Sequence, residues 1–397
     1  MKKTFKGGIM KKIIYLAALL LCFCVSHASD PEFSIYREVK GFPNLPVNVA
    51  VDPYHRYVAV ADNKKQVYVY DIKNDKLLQN IQGFAGNMRA MSFSPDGKYL
   101  AGVYQPGYDA QMVMMSTADA ATKPMGVKQP AVEIPGYRPE KLKFFKFPYA
   151  EDTGYFAALG TNYYINFAAI DSKTGSPRMT GKFTARPGAE FGSITGLDFS
   201  IDRKHFATGG NGSKNNTGDN VCIWQTRKIK TDYLSPDPSP ERVKPDLVLE
   251  KGYGPLSFNP DGESIAVCCK YGTSIYIYKY KLYSKKVTDR LKIKDMKYDE
   301  QAYELKQEEL RHIDTGGDID TIGYLPGALD SLVVGLKGKE APIKIINTKT
   351  GKEISVMNGT GIYYKPFAFS DSGYLLAYAF RDETGGVYGI RVLARKE

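Results

Sequence analysis

Six short segments put an aromatic ring at one point of a recurring unit: Gly41-Phe42, Gly83-Phe84, Gly136-Tyr137, Glu190-Phe191, Gly252-Tyr253 and Ile362-Tyr363. Phe42, Phe84 and Tyr137 each precede a proline (Pro53, Pro95, Pro148) by 11 residues, so these three rings occupy equivalent places. Repeated positions commonly serve the repeat, and each ring could be a plug over a crossing between units. Gathered on one face, they would instead form an aromatic collar able to stack on sugars or clamp a partner's side chains. A second feature is electrostatic. Lys146 and Asp198 stand where five other units carry the small residues Ala50, Ser92, Ser257, Gly323 and Ala368. Unpaired burial of either charge costs several kcal/mol, so the expectation is a Lys146–Asp198 ion pair or two groups lining a wet channel.

Other chemistry is sparse. Past the first 28 residues the histidines are His55, His205 and His312, with no pair at metal-ligand spacing, and there is no Gly-x-Ser-x-Gly, phosphate loop or Cys-x-x-Cys. No catalytic residue, metal or cofactor is therefore assigned. The polar loop from Gly209 to Asn220 could cup a cation or a glycan but lacks the acid spacing of a calcium loop. Cys222, Cys268 and Cys269 read either as small buried hydrophobes or as a bridge from Cys222 to one of the other two.

The elements that must position these residues repeat seven times. Each unit opens on an anchor that is apolar, usually small, then apolar, followed by a turn: Val49-Ala50-Val51-Asp52-Pro53, Met91-Ser92-Phe93-Ser94-Pro95, Phe145-Lys146-Phe147-Pro148, Leu197-Asp198-Phe199-Ser200, Leu256-Ser257-Phe258-Asn259-Pro260, Ile322-Gly323-Tyr324-Leu325-Pro326 and Phe367-Ala368-Phe369-Ser370. In Ser94-Pro95-Asp96-Gly97 the proline fixes φ and the glycine supplies the φ > 0 position. Second, third and variable fourth strands follow each anchor, and four strands per unit mean propeller blades. The last unit has only three strands, and an unassigned strand-like segment, Phe33 to Val39, precedes the first. A ring that did not close would leave an unpaired edge. The fold expected is all-β, a seven-bladed β-propeller closed by the N-terminal strand in the last blade. Residues 29–397 form this one domain and residues 1–28 a leader. A charged insertion in blade five, 279–310, has a basic first half and an acidic second half; Tyr298 to Leu310 is rich in helix formers and is expected to be helical, with Leu310 to Asp314 as the favoured fourth strand and Arg290 to Met296, which alternates like a strand, as the alternative. Asp232 to Asp246, with four prolines, reads as a stiff loop.

Ser94-Pro95-Asp96-Gly97-Lys98-Tyr99-Leu100-Ala101, Asn259-Pro260-Asp261-Gly262, Val67-Tyr68-Val69-Tyr70-Asp71 and Val221-Cys222-Ile223-Trp224-Gln225 resemble the turn, second strand and Trp-Asp-ending third strand of the WD-repeat β-propeller family. The Gly-His pair of that family is absent, and the degenerate form resembles bacterial exported propellers. The resemblance implies binding at the mouth of the central channel where fourth-to-first and second-to-third links gather.

Lys11-Lys12, the apolar run Ile13 to Val25 and Ser26-His27-Ala28 read as a cleavable signal peptide cut after Ala28. The run is too short to span a bilayer, which needs roughly 20 residues. Five lysines and no acids leave with it, taking the formal net charge from +11 to +6. An exported protein of that balance, periplasmic or secreted, is not expected to meet nucleic acid or to keep a transmembrane segment. The function expected is a non-enzymatic, monomeric interaction scaffold for a protein or envelope glycan. The alternative is a propeller hydrolase or lactonase acting on a sugar-derived substrate, which three or more carboxylates converging on the channel would favour.

Overall fold

Small polar residues at the end of each first strand build the turns that shape the chain. In the turn after Phe93, Ser94 Oγ donates to Asp96 Oδ1 (2.7 Å) and accepts from the Tyr99 amide (3.0 Å), while Asp96 Oδ1 accepts from the Lys98 amide (3.1 Å). The same wiring recurs at Ser200, whose hydroxyl donates to Asp202 (2.7 Å) and accepts from the His205 amide (2.9 Å), and in part at Ser370, which accepts from the Leu375 amide (3.0 Å). Ser94, Ser200 and Ser370 are each fully buried. A buried hydroxyl is tolerated there because the turn satisfies it.

The structure, a computed structural model, describes residues 32–117, 131–135, 139, 141–145, 155–161, 164–171, 173–184, 194–210, 221–226, 245–249, 251–269, 272–284, 303–338, 342–358, 367–381 and 387–396. The chain opens with β1 (Phe33–Phe42). Blade one is β2 (Pro46–Val51), β3 (Tyr57–Asp62), β4 (Val67–Asp71) and β5 (Lys76–Ile81). Blade two is β6 (Met88–Phe93), β7 (Tyr99–Tyr104), β8 (Ala110–Ser116) and β9 (Ala131–Ile134). Blade three is β10 (Lys141–Phe145), β11 (Phe156–Gly160), β12 (Tyr164–Ile170) and β13 (Pro177–Thr184). Blade four is β14 (Ile194–Phe199), β15 (His205–Gly210), β16 (Val221–Gln225) and β17 (Leu247–Leu249). Blade five is β18 (Leu256–Phe258), β19 (Ser264–Cys268), β20 (Ser274–Ser284) and β21 (Tyr303–Asp314). Blade six is β22 (Ile319–Tyr324), β23 (Ser331–Leu336), β24 (Pro342–Asn347) and β25 (Glu353–Asn358). Blade seven is β26 (Phe367–Phe369), β27 (Leu375–Arg381) and β28 (Tyr388–Arg395), completed by β1. Every sheet is a four-stranded antiparallel meander, and the seventh has the order β1-β28-β27-β26. The architecture is the expected seven-bladed β-propeller, with the first strand fastening the last blade. Among the described residues no helix is long and apolar enough to cross a membrane.

Among the described residues the apolar side chains form seven clusters, each straddling two adjacent blades. Val67, Val69 and Ile81 of blade one pack on Met88, Met91 and Leu100 of blade two, and Phe145, Phe167 and Ile165 of blade three pack on Phe199, Phe206 and Trp224 of blade four. The Phe145 and Phe199 rings stack at 4.4 Å. Because each inner sheet is covered on both faces, its strands are buried along their whole length, as in β2, β15 and β23.

Blade five departs from expectation. Residues Tyr303 to Leu310 belong to β21, a strand of 12 residues, and not to a helix. β21 pairs with β20 from Ser274↔Asp314 out to Ser284↔Tyr303, whereas β19 pairs with β20 only as far as Ser264↔Lys279. Beyond that point the two strands run on as a ribbon from the third-to-fourth side of the blade. Pairing partners override helix propensity here: His312 stacks on Tyr276 at 4.6 Å and Lys251 reaches Glu309 at 2.8 Å. Arg290 to Met296 lies outside the described residues, as do the leader, the loop 211–220 and residues 232–244.

Closure is reinforced by charge. Arg391 Nε donates to Glu38 Oε2 (2.6 Å) across the β1–β28 ladder, and its guanidinium lies 4.2 Å from the Phe380 ring centre. Arg37 Nε donates to the Ile72 carbonyl (3.1 Å), tying the closing strand to blade one as well. The hydrogen bond from Arg391, aided by Lys40, holds the Glu38 carboxyl below its ordinary value of 4.5 against the opposing effect of burial. The stability this contributes is complete above that ordinary value and is lost as pH falls through the lowered one. Glu38→Gln is expected to lower stability at pH 7 by about 1 kcal/mol, with the difference from wild type shrinking as pH falls below the ordinary carboxyl value. Thermal melts of both proteins across that range check it.

Candidate functional site

The first strands of all seven blades line a central channel holding a recess of about 590 Å³. The recess runs between the first-to-second turns, whose residues Pro53, Pro95, Ile201, Pro260, Pro326 and Asp371 form its rim. This is the mouth opposite to the one where fourth-to-first links gather. Five of the six rim residues are apolar, and Ile201 is 64% exposed, with Tyr54 (60%) and Leu329 (51%) in the same set of turns.

Strand register identifies the residue that each blade sends to the axis. Ala50, Ser92, Asp198, Ser257, Gly323 and Ala368 pair with Ala59, Ala101, Ala207, Ala266, Val333 and Ala377, and in blade three the matching pair is Lys143↔Ala158. Anchoring blade three on Pro148 therefore runs three residues late. Lys146 lies outside the described residues, and the lysine beside Asp198 is Lys143, with Nζ 3.1 Å from Oδ1. Asp198 Oδ2 also accepts from Ser257 Oγ (3.2 Å) and the Phe258 amide (3.0 Å), and Ser257 Oγ accepts from the Tyr324 amide (3.1 Å). One polar chain thus links blades three, four, five and six around the axis. Gly323 continues the circle by absence of bulk: a Cβ there would lie 2.7 Å from the Phe369 ring of blade seven.

Asp371 is the other carboxylate lining the recess among the described residues. Partial desolvation at the rim raises its carboxyl above the ordinary range, although Lys143 and Arg203 pull the other way. Among the described residues the recess thus holds two acids, one of them ion-paired, where three or more carboxylates would favour the hydrolase alternative. His55 and Ser372 bridge blades one and seven at the rim, Nε2 and Oγ 2.8 Å apart.

The aromatic positions divide. Phe42 and Phe84 are 6% and 5% exposed. Phe42 meets the Tyr68 ring edge-on at 5.2 Å in the seam between blades seven and one, and Phe84 lies 5.6 Å from Tyr104 in the seam between blades one and two. The preceding Gly41 and Gly83 both have φ of +93°, the left-handed turn that drops each ring into its seam. Tyr253 is half-buried, its amide bonded to the Cys268 carbonyl (2.8 Å). Tyr137, Phe191 and Tyr363 lie outside the described residues. Cys222, Cys268 and Cys269 are thiols with no disulfide between them, and burial pushes the Cys268 thiol well up, away from reactivity.

No protein-family model matches the sequence, and no curated protein matches it. Solved structures do match the fold. The β-propeller domain of Cps50 (Swd1) from Myceliophteria thermophila superposes with a TM-score of 0.59 at 11% identity, covering 91% of this chain and 99% of that one. A chain of the Mitotic Checkpoint Complex gives 0.61 at 14% identity, covering 94% and 96%. The structural neighbours are WD-repeat propellers. At such identities the likeness is one of fold, and the chemistry of this propeller rests on its own residues.

Removing Asp198 by Asp198→Ala should leave the Phe258 amide without its acceptor and cost about 1–3 kcal/mol. Lys143→Met, which leaves Asp198 two donors, should cost about 1 kcal/mol or less. Urea unfolding of the two single variants and the double variant measures both, and strict additivity would contradict the chain of bonds. As a seam plug, Phe84→Ala should lower stability by about 3–5 kcal/mol in the same assay.

Proposed function

We propose that the protein is an exported, non-enzymatic interaction scaffold that receives a protein partner on the first-to-second-turn face around its channel. The observation that carries this reading is the rim itself. Pro53, Pro95, Ile201, Pro260 and Pro326 offer apolar surface on short, hydrogen-bonded turns, with Tyr54 and Leu329 beside them. Apolar groups already held rigid lose little entropy on binding, and an apolar patch bordered by polar residues is the usual anatomy of a contact site. The ribbon of β20 and β21 leaves blade five from the same face and widens the surface available to a partner. Occupied oxygens on Asp198 favour binding over hydrolysis, since an acid held in an ion pair and two hydrogen bonds is a poor proton shuttle. Export rests on the leader read in residues 1–28, with the mature chain working as a monomer in the periplasm or outside the cell.

The test uses the mature chain as bait in an envelope extract, with crosslinking. A protein retained by wild type and lost from the double variant Tyr54→Asp, Ile201→Asp is the expected outcome, with circular dichroism unchanged. Equal recovery by both baits, or nothing retained by wild type, overturns the reading.

A further inference from the structure

The recess behind the rim is electrically two-sided. Blade three contributes Lys141 and Lys143 to its wall and blade four contributes Arg203, while Asp371 stands on blade seven. Blades four and seven face each other across a seven-membered ring. Asp198 is saturated by Lys143, Ser257 and the Phe258 amide. Asp371 differs: among the described residues no hydrogen bond or ion pair ends on its carboxylate, although it senses the charges of Lys143 and Arg203 opposite. The Arg203 guanidinium has a single hydrogen bond among the described residues, from one terminal nitrogen to the Phe144 carbonyl (3.3 Å), which leaves most of its donor fork unused. A carboxylate and a guanidinium facing one another over water, each short of partners, match a ligand with charges of both signs at its two ends.

Size and lining narrow the class. A volume of about 590 Å³ falls within the range of small-ligand pockets. The two charged walls belong to blades on opposite sides of the ring, which suits a ligand whose charged ends are separated by a length of chain, and a tripeptide extends to about 10 Å. The surface between the two charged walls is made of small and apolar residues, including Ala50, Ala90, Gly323 and Pro326, against which a peptide backbone can lie. We propose that this recess binds a short peptide by its two ends, the terminal ammonium on Asp371 and the terminal carboxylate on Arg203 and Lys143. This goes beyond the scaffold reading and does not rest on it, since the peptide is held by the charges of Asp371, Arg203 and Lys143 whereas the scaffold reading rests on the apolar residues of the rim.

Calorimetric titration of the purified mature chain with tri-alanine, N-acetyl-tri-alanine and tri-alanine amide tests it. The uncapped peptide is expected to bind at least tenfold more tightly than either capped form. Asp371→Asn should abolish the penalty for acetylation and keep the penalty for amidation, and Arg203→Gln should do the reverse. Both side chains sit on surface turns, and near-ultraviolet circular dichroism verifies that the variants fold. The proposal is overturned if tri-alanine gives no binding at millimolar concentration, if the three peptides bind alike, or if either variant loses both discriminations together.

Discussion

The seam between blade seven and blade one is the contact on which the rest of the molecule depends. Every apolar cluster in this protein lies between two sheets, so no blade owns a core that would hold it alone. A row of six seams would leave one face of blade one and one face of blade seven open to water. Val49, Val60 and Tyr68 on one side and Phe42, Ala377, Ile390 and Val392 on the other would then be exposed. The chain removes both liabilities with one strand. β1 pairs with β28 along its length, and Arg37 of the same strand bonds to Ile72 of blade one. Closure thus couples the two ends of the sequence, and local apolar contacts elsewhere become cooperative through it.

Closing the ring brings seven strands to one axis, where side chains have little room. Six of the seven axial positions are resolved by size or by pairing: Ala50, Ser92, Ser257, Gly323 and Ala368 are small, and Asp198 is neutralised by Lys143, the seventh. The lysine side chain is 45% exposed, so the pair it makes with Asp198 is reached by channel water. Ser257 serves as both donor and acceptor between Asp198 and the Tyr324 amide, which is why a hydroxyl stands there and an alanine would not do the same work.

How much of this was legible in the sequence varies with how local the cause is. The anchors of the blades were readable because strand, turn and following strand are set within about ten residues, by the alternation that ends in a Ser-Pro-Asp-Gly type of turn. Closure by Phe33 to Val39 was inferable from an odd strand count. The blade-three register was not, because Lys-Leu-Lys-Phe-Phe-Lys-Phe offers three lysines at nearly interchangeable spacing and only pairing with Ala158 selects Lys143. Strand β21 was hidden for a related reason. Glu and Lys favour helix locally, while the ladder with β20 that decides the outcome is supplied by residues some thirty positions earlier. Asp371 gave no sequence signal at all, since an aspartate in a Ser-Asp-Ser-Gly turn is what any surface turn carries.

That last case bears on where a propeller keeps its chemistry. Both faces of the second strands are committed to seams, so a side chain on β15 or β23 has no surface left with which to act. Rings such as Phe42 and Phe84, regular as they are, fall on the committed side and hold blades together. What remains exposed at the axis is the set of turn tips, and these are brought together only by the seven-fold arrangement, not by proximity in sequence. Arg203 and Asp371 are separated by three blades of chain yet face one recess. Substitutions at turn tips leave seams untouched, so recognition can change there with little effect on stability, and the same seven-bladed frame can carry unrelated binding chemistries.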